Sequence, residues 1–374
     1  MTTLHVTLDE LAAQPYGGPS RYAGELTRAL LATAPEGTEV VGMVPASPEP
    51  DYARIAELLP GLARLDKSVL GPRELATAWR RGVGRPRRTG MLHATSLLAP
   101  LGAHDRVNQP GDQVAVTIHD TIAWTAPELL PSRTVTWRRG MASRAERYAD
   151  AIVVPSHTVA AQLAEHLDVG ERIRVVPGAP SSGLIPPVDS RERAAELELP
   201  ARYLLTVAST EPAKNLPALL DALALTRDET PLVVVGADPD AVAALVAERG
   251  LDASRVVALG AVPDADLGVA YVHAHAYLQP SAAEGFGHAV MEALGFGLPI
   301  VHTDVPALDE LTAGAAISVP RAAATLPELL AEAIDALATD SALTERLGTA
   351  AGDRARAYSW RDSAEKVWQL HADL

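Results

Sequence analysis

The sequence predicts two α/β domains, each a parallel sheet covered by helices, and three observations carry that expectation. The 374 residues exceed what one core holds, since single cores stop growing near roughly 250 to 300 residues. Short β-branched runs alternate with helical patterns along the chain in two series, the signature of strands joined by helical crossovers. A proline-containing segment with linker composition separates the two series.

The first series contains VVGMV (residues 40–44), MLHATS (91–96), VAVTIHD (114–120), AIVVPS (151–156) and IRVVPG (173–178). Such runs, apolar on both faces, suit strands buried between two helix layers. APSSGLIPPVDS (179–190) follows and places the boundary. The second series contains YLLTVAS (203–209), LVVVGA (232–237), RVVALG (255–260), AYLQPS (276–281) and PIVHTD (299–304). In the closing YSWRDSAEKVWQLHADL (358–374), Ser359 stands three residues before Asp362, the spacing of a capping box, so a terminal helix is expected. The division expected is a first domain at 1–183, a second at 184–356 and a terminal helix at 357–374.

Composition excludes several kinds of chemistry. With 48% hydrophobic and 21% charged residues, the chain has the balance of an ordinary globular protein rather than a disordered one. Cysteine is absent, which removes disulfides, thiolate nucleophiles and cysteine metal ligands, leaving His, carboxylates, hydroxyls and backbone. No long apolar run and no basic-then-apolar leader occurs, and the expectation is a cytoplasmic protein. The net charge of −15 is uneven: residues 1–180 hold 19 basic against 19 acidic side chains, and residues 181–374 hold 13 against 28. In the neutral half, RRGVGRPRR (80–88) and RTVTWRRGMASRAER (133–147) gather the cations beside Trp79 and Trp137. They read first as solvated faces and second as contacts to an anionic lipid surface or acceptor at the inner face of a membrane.

In open α/β sheets ligands bind beyond the carboxyl ends of the strands. Gly17 and Gly18, His119 and Asp120, Lys214, and Glu284 all fall just after predicted strands. The densest cluster is EGFGHAVMEALGFGLP (284–299). Gly285 and Gly287 let the backbone bend toward a ligand, and a helix start beyond them favours a phosphate. Glu284 and Glu292 at the two ends would repel a diphosphate unless hydrogen-bond donors occupy them. Sugar hydroxyls are the fitting donors. Two sugars flanking a diphosphate describe a nucleotide sugar.

Glu284-Gly-Phe-Gly through Glu292 has the E-x7-E form of the retaining glycosyltransferases of family 4, with the GT-B fold of two Rossmann-like parallel-sheet domains facing across a cleft. The resemblance extends over nearly the whole chain: GGPSRYAGELTRAL (17–30), VAVTIHDTIAW (114–124), ADAIVVPSHTVAAQL (149–163), EPAKNLPALLDALA (211–224), LGAVPDADLGVAY (259–271) and DVPALDELTAGAAISV (304–319) resemble that family's segments in order. It implies an acceptor-side first domain, a nucleotide-sugar-side second domain and a terminal helix crossing back to the first. It also implies that Glu292 binds the nucleotide ribose, that Glu284 with Phe286 and Gly287 orients the donor hexose, and that Gly285, His288, Ala289 and Val290 complete that turn. Lys214 would neutralise the diphosphate, Gly17 and Gly18 would let a loop approach it, Val262 would contact the base, and His119 would lie beside the transferred sugar. His119, Glu284 and Lys214 form the expected catalytic set. The function implied is transfer of a hexose, mannose-type first, from a nucleotide diphosphate sugar such as GDP-mannose to a glycan or lipid-linked acceptor in envelope polysaccharide or glycolipid synthesis. No cofactor, metal or nucleic acid partner is expected.

One departure stands out. The family's arginine, five residues before the lysine or immediately before it, is replaced by Ser209 or Ala213. Lys214 alone is a point charge without a bidentate partner. Three readings follow in order: Arg21 supplies the cation, a divalent ion does, or activity is weak and the chain is a scaffold that binds a sugar nucleotide or partners an active transferase. Two D-x-D triplets, 238–240 and 264–266, read as helix caps rather than metal ligands. His273 and His275 lack a third ligand and read as core or surface residues. A nicotinamide dehydrogenase would need G-x-G-x-x-G after an early strand, and AAQPYGGPSRY stands there instead.

Overall fold

The computed structural model describes residues 2–12, 17–84 and 90–374. Residues 13–16 of the first loop, and residues 85–88 of the arginine-rich run, lie outside them. The chain forms two compact units, one of residues 1–178 with Ser359–Leu374, the other Ala179–Tyr358. The crossings thus fall at 178/179 and 358/359, against 183/184 and 356/357 from the sequence.

The first unit is a parallel sheet of β1 (Thr2–Thr7), β2 (Thr38–Val44), β3 (Arg64–Lys67), β4 (Met91–Ala94), β5 (Val114–Thr117), β6 (Ala151–Val154) and β7 (Ile173–Val175), in the order β3-β2-β1-β4-β5-β6-β7. Every residue of β4, β5 and β6 is buried, because helices cover both faces. β3, at the edge, reads RLDK and is largely exposed, as charged edges that resist pairing are.

The terminal helix Trp360–Asp373 packs in this unit. Ser359 caps it, its Oγ accepting the Asp362 N–H at 3.2 Å. Trp360 meets Tyr22 edge-on at 5.7 Å, Trp368 Nε1 donates to Thr33 Oγ1 at 3.1 Å, and Ser363 Oγ donates to the Pro177 carbonyl at 2.7 Å. His371 places its ring 5.8 Å from that of His93 on β4.

His93 is fully buried, and neither ring nitrogen has a hydrogen-bond partner among the described residues. Burial pushes its imidazole down to about 4. An unfolded chain takes that proton near pH 6.5 while the folded one refuses it until about 4. Stability is therefore complete above 6.5 and is lost as the pH falls toward 4, by roughly 3 kcal/mol for this group. Urea titrations between pH 7 and 4 are expected to show that slope, and His93→Leu is expected to flatten it.

The second unit is a parallel sheet of β8 (Leu204–Ala208), β9 (Leu232–Gly236), β10 (Val256–Gly260), β11 (Ala276–Gln279), β12 (Ile300–Thr303) and β13 (Ile317–Val319), in the order β10-β9-β8-β11-β12-β13. Successive residues alternate between its two cores: Leu204 joins one with Leu216 and Leu220, while Tyr203 and Leu205 join the other with Tyr271, Tyr277 and Met291. In both sheets the strand order reverses after the first strand, between β1 and β4 and between β8 and β11. These are the topological switch points at which open α/β sheets leave a crevice.

Candidate functional site

In the second unit the switch point brings together two residues that are seventy positions apart in the chain. After β8, the turn Pro212–Lys214 ends at Asn215, held in the left-handed region with φ 50°, which asparagine tolerates better than most side chains. The Ala282 N–H, from the loop after β11, donates to the Ala213 carbonyl at 2.8 Å and ties the two loops. Across that tie Lys214 Nζ donates to Glu284 Oε1 at 2.5 Å.

Glu284 is fixed from beneath as well. Tyr277, Gln279 and Ser281 follow one another at every second position, so they share a face of β11 and its extension. Tyr277 Oη donates to Gln279 Oε1 at 2.5 Å, which turns the amide nitrogen toward Ser281 Oγ at 2.6 Å and Glu284 Oε1 at 3.2 Å. Ser281 Oγ donates to the same Oε1 at 2.9 Å. All three donors meet Oε1, and none of them uses Oε2.

The turn between the glutamates is shaped by Gly287, at φ 88°, the cap of the helix His288–Gly295. A Cβ there would lie 2.4 Å from Leu308 Cδ2. Phe286 is buried, edge-on to His288 at 5.2 Å and Tyr358 at 6.3 Å. Gly287 offers no side-chain cap to the helix start formed by His288, Ala289 and Val290, which leaves it the polarity that suits an anion. Glu292 is buried within that helix: Oε1 accepts from Ser181 Oγ at 3.0 Å and Oε2 from Tyr271 Oη at 2.9 Å. Val262 packs partly buried in the turn after β10. Ser209 Oγ donates to Glu211 Oε2 at 3.3 Å, and Ala213 is buried.

Gly17, Gly18, Arg21 and His119 belong to the first unit. Gly17 caps the helix Gly18–Ala32, whose first bond runs from the Arg21 N–H to the Gly17 carbonyl at 3.0 Å. His119 Nε2 sits 2.7 Å from the Thr95 carbonyl, which makes that nitrogen the donor and Nδ1 the acceptor. Burial pushes its pKa down, and Tyr22 stands edge-on at 5.0 Å, so the ring is a neutral, oriented imidazole.

Several expectations change. In the D-x-D triplets, Asp238 does cap its helix through the Ala241 N–H at 3.0 Å. Asp264 does not: Pro263 holds the cap position, and Asp266 pairs with Arg193 at 2.5 Å. His273 ends the helix Asp264–Val272 as its C-cap. The arginines of 133–147 are neither all solvated nor all presented outward: Arg138 binds Asp120, Arg139 donates to the Ala123 carbonyl, and Arg144 to that of Leu101. Among the described residues no group of three His, Cys, Asp or Glu is arranged to hold a metal, and no helix is long and apolar enough to cross a membrane.

Gln279, Ser281, Tyr271 and Ser181 are the site residues that sequence reasoning missed. The available signal was a glutamine and a serine inside an apolar strand run.

Comparison with known proteins covers both units. Residues 16–179 match the family described as Glycosyltransferase Family 4, and residues 189–354 the one described as Glycosyl transferases group 1. The chain is similar to an O-antigen chain mannosyltransferase B of Escherichia coli, 30% identical over 55% of this chain and 57% of that protein. A D-inositol 3-phosphate glycosyltransferase of Corynebacterium efficiens is 28% identical over 60% of this chain and 57% of that one. The aligned chain thus spans a little over half the length of each of these curated relatives. Among solved structures, sucrose-phosphate synthase of Thermosynechococcus elongatus superposes with a TM-score of 0.74 at 20% identity, covering 100% of this chain and 99% of that one. Anabaena HepE in complex with UDP-glucose does so at 0.75 and 16%, covering 100% of each. At these identities the structures establish the shared GT-B fold.

Proposed function

From the premise that the chain belongs to the family 4 glycosyltransferases, we propose that it moves a hexose, with retention, from a nucleotide diphosphate sugar to a glycan or lipid-linked acceptor. The observation that carries this reading is the Lys214–Glu284 pair at the switch point of the second unit, with Glu292 held ready in the adjoining helix. Lys214 gives the departing diphosphate a cation, the helix start beyond Gly287 gives it amides, and the two glutamates take the hydroxyls of the sugars on either side. The bond from the anomeric carbon to the diphosphate oxygen breaks, the acceptor oxygen bonds to that carbon on the same face, and its proton passes to the departing phosphate. Rate comes from leaving-group stabilisation and positioning rather than from a placed nucleophile. No metal is assigned a role. Mannose is the first donor sugar on the similarity to an O-antigen mannosyltransferase.

Calorimetric titration with GDP, UDP and dTDP, followed by hydrolysis of the matching sugar nucleotides, tests this. One diphosphate is expected to bind clearly better than the others, with slow release of hexose that Glu284→Ala abolishes. Binding without turnover across sugars and acceptors would favour a non-catalytic scaffold, a reading that Ser209 and Ala213 at the arginine positions support. No binding of any of the three would overturn the site assignment.

A further inference from the structure

We infer that Tyr277, Gln279 and Ser281 are positioning residues for the donor: they commit Oε1 of Glu284 to the protein, so that Oε2 alone meets the hexose and takes a hydroxyl of it. This deepens the function proposed above by assigning how the hexose is recognised, and it rests on that reading.

Polar groups inside a sheet are costly unless every one of them is paired. β11 lies between β8 and β12, all four of its residues are buried, and so is Ser281 just beyond it. Leu278, facing the other way, shows the apolar residue that such a position suits. The face shared by Tyr277, Gln279 and Ser281 instead carries three polar groups in succession, and their hydrogen bonds converge on a single atom.

The protons run in one direction along that face. Burial raises the Tyr277 phenol well above its ordinary value, so it keeps its hydrogen. That hydrogen goes to Gln279 Oε1 at 2.5 Å and decides which way the amide faces. The amide nitrogen then donates to Ser281 Oγ at 2.6 Å and to Glu284 Oε1 at 3.2 Å, which uses both of its hydrogens. Ser281 Oγ accepts from the amide, so its own hydrogen is left for Glu284 Oε1 at 2.9 Å. The backbone that carries this hydroxyl is held too, because Thr303 Oγ1 at the end of β12 donates to the Ser281 carbonyl at 2.5 Å.

A glutamate turns readily about its last side-chain bond and can offer either oxygen. Here Lys214, Gln279 and Ser281 all donate to Oε1, and a carboxylate oxygen has about two lone-pair sites, so Oε1 is filled. Oε2 takes no hydrogen bond from any described residue, yet it is not sealed off, in a side chain that is 11% exposed. A turned Gln279 amide would set its carbonyl oxygen against the carboxylate. The phenol forbids that turn, and so it acts on Glu284 from two residues away.

Calorimetry on the full chain tests the inference. Whichever of GDP, UDP and dTDP binds best is followed by its hexose conjugate, GDP-mannose, UDP-glucose or dTDP-glucose, and by the 2-, 3-, 4- and 6-deoxy analogues of that conjugate. The native chain is expected to hold at least one deoxy analogue about ten- to a hundredfold more weakly than the parent, as befits a lost hydrogen bond to a charged group. In Gln279→Met that preference is expected to fall below about threefold. Nucleoside diphosphate affinity is expected to hold in the same samples, and it reports that the second unit is folded. Tyr277→Phe/Gln279→Met removes both partners of the first hydrogen bond, which relieves the phenol that Gln279→Met strands; should the single variant lose diphosphate binding, the double variant is read in its place. A merely structural role predicts that the double variant regains the preference, whereas a positioning role predicts that it stays lost. Preference surviving in Gln279→Met, preference returning in the double variant, or no discrimination by the native chain each overturns the inference, and with diphosphates still bound it fails alone. If none of the three diphosphates binds, the donor assignment fails and takes the inference with it.

Discussion

Lys214→Ala is expected to lower hexose transfer, or donor hydrolysis in its absence, by about two to three orders of magnitude, the usual consequence of removing one group that stabilises developing negative charge. The expectation is strong here because the family's arginine positions are held by Ser209 and Ala213, so neither of those positions offers a guanidinium to cover for the loss. The rest of the site should stand. Glu284 keeps its hydrogen bonds from Ser281 and Gln279, and that pair is seated on Tyr277 in the core. The pair with Lys214 is moreover partly exposed, at 30% for the lysine side chain, and contributes modestly to stability. The measurement is kcat for the best donor beside the thermal midpoint: a large fall in the first with little change in the second is the expected result. A loss of less than about threefold would show that Lys214 does not meet the leaving group.

Gly287→Ala is expected to destabilise the second unit by roughly 2 to 5 kcal/mol. Two independent terms add. The left-handed backbone at φ 88° costs a β-carbon about 1 to 2 kcal/mol. The new methyl also arrives 2.4 Å from Leu308 Cδ2, and Leu308 is fully buried, so relief means repacking at about 1 to 3 kcal/mol. Urea unfolding followed by a probe in the second unit measures this. An unchanged midpoint would mean that the turn relaxes freely, and the amides beyond it would then not be preset for an anion. Gly285, for which no positive φ is recorded, carries no such expectation.

These two residues also show what was legible in the sequence. Internal strands announced themselves because burial on both faces demands continuous apolar runs, as in LVVVG and AIVV. β3 did not, since RLDK at the sheet edge obeys a requirement to repel neighbours, and β13 has only three residues, ISV, before the chain turns away. The glutamate turn was readable because glycine spacing and acid placement lie within one short window. The contact of Lys214 with Glu284 was not: it depends on β8 and β11 being neighbours, a property of strand order that no local pattern encodes. Gln279 and Ser281 were hidden for a related reason, their polarity passing for a strand end until Tyr277 fixed the direction of the amide. The cap expected of Asp264 failed because Pro263, one residue earlier, holds the non-helical conformation a cap requires and the aspartate becomes the first helical residue.

The first unit is interrupted in the chain and the second is not, and this orders events during synthesis. Ala179–Tyr358 emerges as an unbroken stretch and can complete its six-stranded sheet while Ser359–Leu374 has yet to be made. Until then Tyr22 lacks Trp360, His93 lacks the ring of His371, and the Pro177 carbonyl lacks the Ser363 hydroxyl. The nascent first unit therefore waits with an uncovered patch on the helix Gly18–Ala32, and Trp360–Asp373, made later, closes it. A lesion in Trp360–Asp373 is thus a folding lesion of the first unit, felt far along the chain from where it is written.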